Sequence, residues 1–274
     1  MLTATFCHIP GVGHVTERNL WKQGITSWQH LLQVPDRIAR VSRYDVAHVL
    51  QSSLRALDSD ALFFSRLLKT ADAWRLFPHF RTSTAYLDIE TTGLGDEAEI
   101  TTIALYDGDT VATYVNGRNL DNFVSDIENF KILVTYNGMS FDIPFIERFF
   151  RTRLGHAQID LRYVLARLGF RGGLKGCEKQ MGINRGALDG MDGSFAVALW
   201  HEYKRYGNEA ALETLLAYNV EDTVNLERLM VEAYNRHITD TPFSREFTLP
   251  YPDPPELLFH PDREIVSAMR QYRY

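Results

Sequence analysis

Cysteine is nearly absent from this chain. Its 274 residues include only Cys7 and Cys177, far apart and in no C-x-x-C pair, which argues against both a disulfide framework and a zinc knuckle. Long apolar runs are missing too: no uninterrupted stretch approaches the roughly 20 residues that span a bilayer. "MLTATFCHIPGVGHV" also lacks the basic segment followed by an apolar core that marks an export signal. The expectation is a soluble protein of a reducing, cytoplasmic setting. Positive charge is not in excess either. The net charge of −6 argues mildly against a polyanionic partner, but the average hides a segregation. Residues 86–142 hold 2 basic and 11 acidic residues, and residues 148–185 hold 9 basic and 2 acidic. One segment is suited to gathering cations and the next to facing a polyanion.

What is present is enough apolar material, 45% of the chain, for one large core or one core plus a small appended domain. Residues 1–80 read as several short helices, with apolar residues at helical spacing in "VTERNLWKQGI", "SWQHLLQV" and "DVAHVLQSSLRALDSDALFFSRLLKT". Residues 81–235 change character. "AYLDIETTG", "EITTIALYDGDTVATYV" and "KILVTYN" are strand-like, with "DGD" as a hairpin turn. Helical patterns follow from Ile143 through "LRYVLARLGF", "LKGCEKQMGI" and "SFAVALWHEYKRYG" to "EAALETLLAYNVEDTVNLERLMVEAYNRHI". Antiparallel strands followed by helices packed over them make an α/β layer architecture. Residues 236–274 form a C-terminal tail whose proline-rich stretch "LPYPDPPELLFHPD" is expected to be extended.

Three acidic sites interrupt the apolar pattern. Asp88 and Glu90 lie at i and i+2 of a strand, so their carboxylates share one face. They mark either a solvated strand end or a wall of a site for a hard divalent cation. In "ILVTYNGMSFDIPFI" a strand is followed by an Asn137-Gly138 turn and by Asp142, which reads as a helix N-cap with Pro144 just inside the helix. In "AYNVEDTVNL" Tyr218 and Asp222 are four apart on one helix face, where the surrounding apolar residues make an unpaired carboxylate costly. Asp160 in "QIDLRYVL" reads mainly as the N-cap of the helix that follows.

Together these motifs resemble the DEDD superfamily of 3′-to-5′ exonucleases, in the branch with a tyrosine in the last motif. "LDIETTG" matches the first motif, "YNGMSFDIPFI" resembles the second motif of B-family DNA polymerase proofreading domains, and "YNVED" fits the third, Y-x-x-x-D. The order and spacing over residues 84–232 are also similar to the stand-alone bacterial ribonuclease H-like domain proteins. The resemblance implies an RNase H-like mixed sheet with flanking helices and two divalent cations, Mg²⁺ or Mn²⁺, roughly 4 Å apart. By motif position Asp88, Glu90 and Asp222 would ligate the cation that holds the attacking water. Asp88 would bridge to the second cation, which Asp142 supports, and Tyr218 would orient or help deprotonate the water. The implied reaction is hydrolysis at the 3′ end of a single strand, DNA favoured over RNA. The alternatives are a catalytically silent nucleic-acid-binding adaptor and an RNase H-like endonuclease.

Substrate contacts are expected from Thr91 beside Glu90, from the Asn137 amide, and from Phe141 and Met139, which flank the second motif. The basic run after that motif suits sequence-independent phosphate contact. Within it, Lys175, following Gly172-Gly173 near a helix start, is the leading candidate for a phosphate. About half of the run reads equally well as solvated helix surface. The N-terminal "HIPGVGHVTERNLWKQGITSWQHLL" resembles a helix-hairpin-helix element, structural or nucleic-acid-binding, with Gly11 and Gly13 permitting its tight turn.

Overall fold

The computed structural model describes residues 1–39, 41–95 and 97–271. Its centre is a mixed five-stranded sheet in the order β3-β2-β1-β4-β5. The strands are β1 (Thr84–Thr91), β2 (Ile100–Tyr106), β3 (Val111–Val115), β4 (Ile132–Thr135) and β5 (Ala157–Asp160). β1, β2 and β3 pair antiparallel, and β4 and β5 extend the sheet in parallel from the other side of β1. The expected hairpin between β2 and β3 forms because the Asp107 carboxylate accepts from the Asp109 and Thr110 amides, at 2.9 and 2.7 Å, around a left-handed Gly108.

Period-two alternation in β1 sorts its side chains between two layers. Ala85, Leu87 and Ile89 join one apolar layer with Phe123, Ile127, Ile143 and Ile146. Tyr86, Asp88 and Glu90 face the opposite way, toward the helix Glu209–Thr239. That 31-residue helix is capped by Asn208 and buries Leu215, Leu226 and Met230. It is positioned at mid-length by Asn219, whose amide oxygen accepts from Thr102 on β2 at 3.0 Å.

The N-terminal helices His14–Lys22, Trp28–Gln33, Arg43–Ala56 and Ala61–Leu67 are continuous with this core. Trp28, Phe64, Trp74 and Phe77 belong to the same apolar cluster as Tyr86, Ile132 and Ile159. Beneath them lies a buried ion pair. Glu17 accepts from Thr5 Oγ1 (2.7 Å), the Phe6 amide (2.7 Å) and both terminal nitrogens of Arg75 (3.0 and 2.8 Å). The Gly11–Gly13 turn opens the first helix, with the short 3₁₀ turn Leu2–Ala4 before it and the helix Trp28–Gln33 after it.

The sheet is mixed, as expected, and "AQID" supplies β5, a strand the sequence patterns did not show, which pairs in parallel with β4. The proline-rich stretch 249–262 carries no helix or strand, as expected, and after it Arg263–Gln271 is helical, with Val266 buried among residues of the 193–206 helix. Among the described residues, no helix is long and apolar enough to cross a membrane.

Candidate active site

Asp88 and Glu90 project side by side from β1 beneath the long helix. The register with β2 slips between Glu90 and Thr91. Such an irregularity bends a strand and re-aims the side chain beside it. Thr91 turns its hydroxyl to the Gly93 carbonyl at 2.8 Å, so that group is occupied in closing the loop after β1. Asp222 descends from the long helix, and one oxygen each from Asp88, Glu90 and Asp222 all lie within 4.8 Å of one another.

Asp142 reaches the same centre by a route the sequence did not indicate. It is the first residue of the helix Asp142–Phe150, whose cap position is Phe141 and carries no side-chain cap bond. Its carboxylate instead accepts from the Ile89 amide on β1 at 3.2 Å. The expectation of an N-cap was wrong because a helix-start aspartate looks the same in sequence whether it bonds its own helix or a neighbouring strand.

The turn that delivers Asp142 is tightly built. Asn137 is left-handed, with φ 66°, and its amide donates to Asp160 at 2.7 Å. Asp160 also accepts from Met139 N (3.2 Å) and, as the expected N-cap, from Arg162 N (3.0 Å). Gly138 lies so close to β4 that a Cβ there would be 2.2 Å from Thr135 Oγ1. Gly138→Ala is therefore expected to cost roughly 1–3 kcal/mol and to lower any activity that depends on Asp142. An unfolding midpoint equal to wild type would contradict this close approach.

The other expected contacts are placed as follows. The Asn137 side-chain oxygen accepts from Arg162. Phe141 is half-buried against Phe145, with ring centroids 5.7 Å apart, while Met139 is 41% exposed. Lys175 does not face solvent at its helix start; its ammonium donates to the Tyr218 hydroxyl and the Met191 carbonyl and lies 4.4 Å from the Tyr218 ring centroid.

Burial dominates the electrostatics. It pushes Asp88 up to about 7, against the opposing hydrogen bond from Asn219 Nδ2 at 2.8 Å. Glu90 and Asp142 are raised well above the usual carboxylate range, first by burial and then by the charge of Asp88. Lys175 is lowered to about 8 by burial and by nearby Arg185. Tyr218 is raised by burial and by Glu90, so its hydroxyl keeps its proton. A set of acids that cannot all ionise together lacks positive charge, and its donors are all carboxylate oxygens, which suit a hard divalent cation. Asp88, Glu90 and Asp222 fit such an ion, with Asp142 adjacent.

Three polar residues at this centre carry roles the sequence reading missed. Arg185 is buried, not phosphate-facing; it binds Glu178 at 2.6 and 3.1 Å and also bonds Asp222. Asn225 secures Glu178 at 2.9 Å. Asn219 holds Asp88, and the only signal for it was an amide inside the apolar run "LLAYNV". A second group, Cys7, His14 and Glu17, is also compact enough for an ion. It suits one poorly, because the Cys7 thiol is pushed up to about 12, chiefly by burial, far from the thiolate that binds a metal.

A family model of the RNase_H superfamily matches residues 85–234, from β1 into the long helix. The chain belongs to the RNase H superfamily. The matched span holds Asp88, Glu90, Asp142, Tyr218 and Asp222. No curated protein matches this superfamily member. Among solved structures it is similar to the family B DNA polymerase from the hyperthermophilic archaeon Pyrobaculum calidifontis, at 15% identity and a TM-score of 0.43, over 57% of this chain and 24% of the polymerase. The carboxylate set is of a kind that suits divalent cations.

Proposed function

We propose that this superfamily member is a metal-dependent 3′-to-5′ exonuclease acting on single-stranded nucleic acid, DNA favoured over RNA. The observation that carries the reading is the convergence of Asp88, Glu90 and Asp222 with a buried tyrosine one helical turn before the last acid. Asp88, Glu90 and Asp222 would hold a divalent cation, and Asp142 would serve a second. Cations bound there supply a nucleophilic water at neutral pH and stabilise charge on the attacking and leaving oxygens.

The chain's own residues do the rest. The long helix and β1 exclude bulk water, which strengthens every charge interaction in the site. Tyr218 accepts a hydrogen bond from Lys175, so its own proton is free to point elsewhere and orient a water or a phosphate oxygen. Because that hydroxyl is held far from ionisation, its role is positioning rather than proton abstraction. Tyr218→Phe is therefore expected to slow cleavage roughly 10- to 100-fold, a loss of about 1.4–2.7 kcal/mol of transition-state stabilisation, with metal binding unchanged by calorimetry. Wild-type turnover in that variant would remove the hydroxyl from the reaction.

The full acid set, retained with Tyr218, disfavours a silent adaptor. Circular single-stranded DNA offered beside the linear form separates the remaining alternative. The exonuclease degrades only the linear strand, and cutting of the circle would establish an endonuclease instead.

A further inference from the structure

A groove of about 570 Å³ is lined by Tyr136, Asn137, Arg162, Phe170 and Arg171 among others. Its volume lies within the usual range for small-ligand sites, and its chemistry is mixed. Tyr136 and Phe170 present the half-buried edges of rings that pack on the core, and the Arg236 guanidinium lies over Phe170, 5.1 Å from its ring centroid. Arg162 donates to the neutral Asn137 side chain and its charge also acts on the nearby Asp160 carboxylate. Arg162 and Arg171 place two exposed guanidiniums on one groove.

The groove is also mechanically tied to the acid centre. Asn137, part of its lining, starts the turn that ends at Asp142, and the Asp160 carboxylate gathers the amides of Asn137, Met139 and Arg162. Groove wall and acid-bearing turn are thus one bonded unit.

We propose that this groove binds a nucleotide of the substrate strand outside the reacting position, with the base against Phe170 and Tyr136 and its flanking phosphate on Arg162 and Arg171. Aromatic rings combined with guanidiniums suit single-stranded nucleic acid of any sequence, because every base has a stacking face and every phosphate a charge. The assignment rests on the nuclease reading.

The test is fluorescence-anisotropy binding of a labelled single-stranded 12-mer, in DNA and RNA forms, to the Asp88→Asn protein over a series of salt concentrations. Arg171→Glu in that background is expected to weaken binding about tenfold or more and to make the log–log salt dependence shallower by about 0.7, the value for one lost phosphate contact on a single strand. Phe170→Leu is expected to weaken it at least about fivefold with the salt dependence unchanged. Arg245→Glu, an exposed charge reversal outside the groove, should leave binding as it was. Parental binding by both groove variants overturns the assignment, as does equal weakening by Arg245→Glu, which would mean a general charge effect. Cleavage of the same strand by the wild-type protein is read separately, so failure of the groove and failure of the nuclease reading are distinguishable.

Discussion

Asp88→Asn lowers nucleic-acid cleavage by roughly three orders of magnitude or more, about 4 kcal/mol of transition-state stabilisation, while the unfolding midpoint stays at or above that of wild type. The two halves of this expectation come from one geometry. Asp88 shares its face of β1 with Glu90, its charge raises both Glu90 and Asp142, and it lies in one group with Glu90 and Asp222. Removing its charge takes away a cation ligand and also relieves repulsion that the metal-free protein must tolerate. Asparagine keeps the shape, and its amide oxygen can still accept from Asn219. Steady-state rates on a labelled strand and thermal unfolding without metal check the pair of outcomes. Full activity in the variant would place the reaction elsewhere, and a large loss of stability would show that Asp88 is structural.

Arg75→Met is expected to destabilise the fold by about 3–5 kcal/mol, the usual consequence of leaving one partner of a buried ion pair uncompensated. Glu17 is 1% exposed and Arg75 3%, and the pair joins the first helix to the segment that leads into β1. Loss of the guanidinium leaves a carboxylate that still accepts from Thr5 and Phe6 but has no counter-charge. Adding Glu17→Gln to Arg75→Met should recover part of the loss, because the amide oxygen still accepts those two bonds without carrying charge. Urea unfolding of the single and double variants measures both effects. A single variant within about 0.5 kcal/mol of wild type, the range of an ordinary surface change, would contradict the structural role assigned to the pair.

The elements legible in the sequence were those whose periodicity matched their burial. β1 alternates over its whole length, the β2–β3 turn carries its own aspartate and glycine, and the long helix keeps an apolar stripe around Asn219, Tyr218 and Asp222. β5 was missed because four residues abutting a helix give no alternation to read. The Arg263–Gln271 helix was hidden behind prolines, although Val266 packs into the core. At the site, residue types and order brought the acids together correctly, but their bonding was invisible. Asp142 looked like a cap until its partner on β1 was seen. Lys175, the expected phosphate contact, also bonds the Tyr218 hydroxyl, and Arg185 of the basic run is drawn inward to Glu178 and Asp222. A basic residue after a glycine turn reads as exposed in a linear sequence, and only tertiary packing shows that it faces inward.

The most direct test of the proposed chemistry is a time course on a single strand labelled at its 5′ end, as DNA and as RNA, with Mg²⁺, Mn²⁺ or EDTA. The proposal predicts a ladder of labelled products shortening one nucleotide at a time from the 3′ end, faster on DNA, dependent on the divalent ion and abolished by EDTA. Immediate appearance of the labelled terminal mononucleotide, cleavage at internal positions only, or an intact strand in both metals would contradict it.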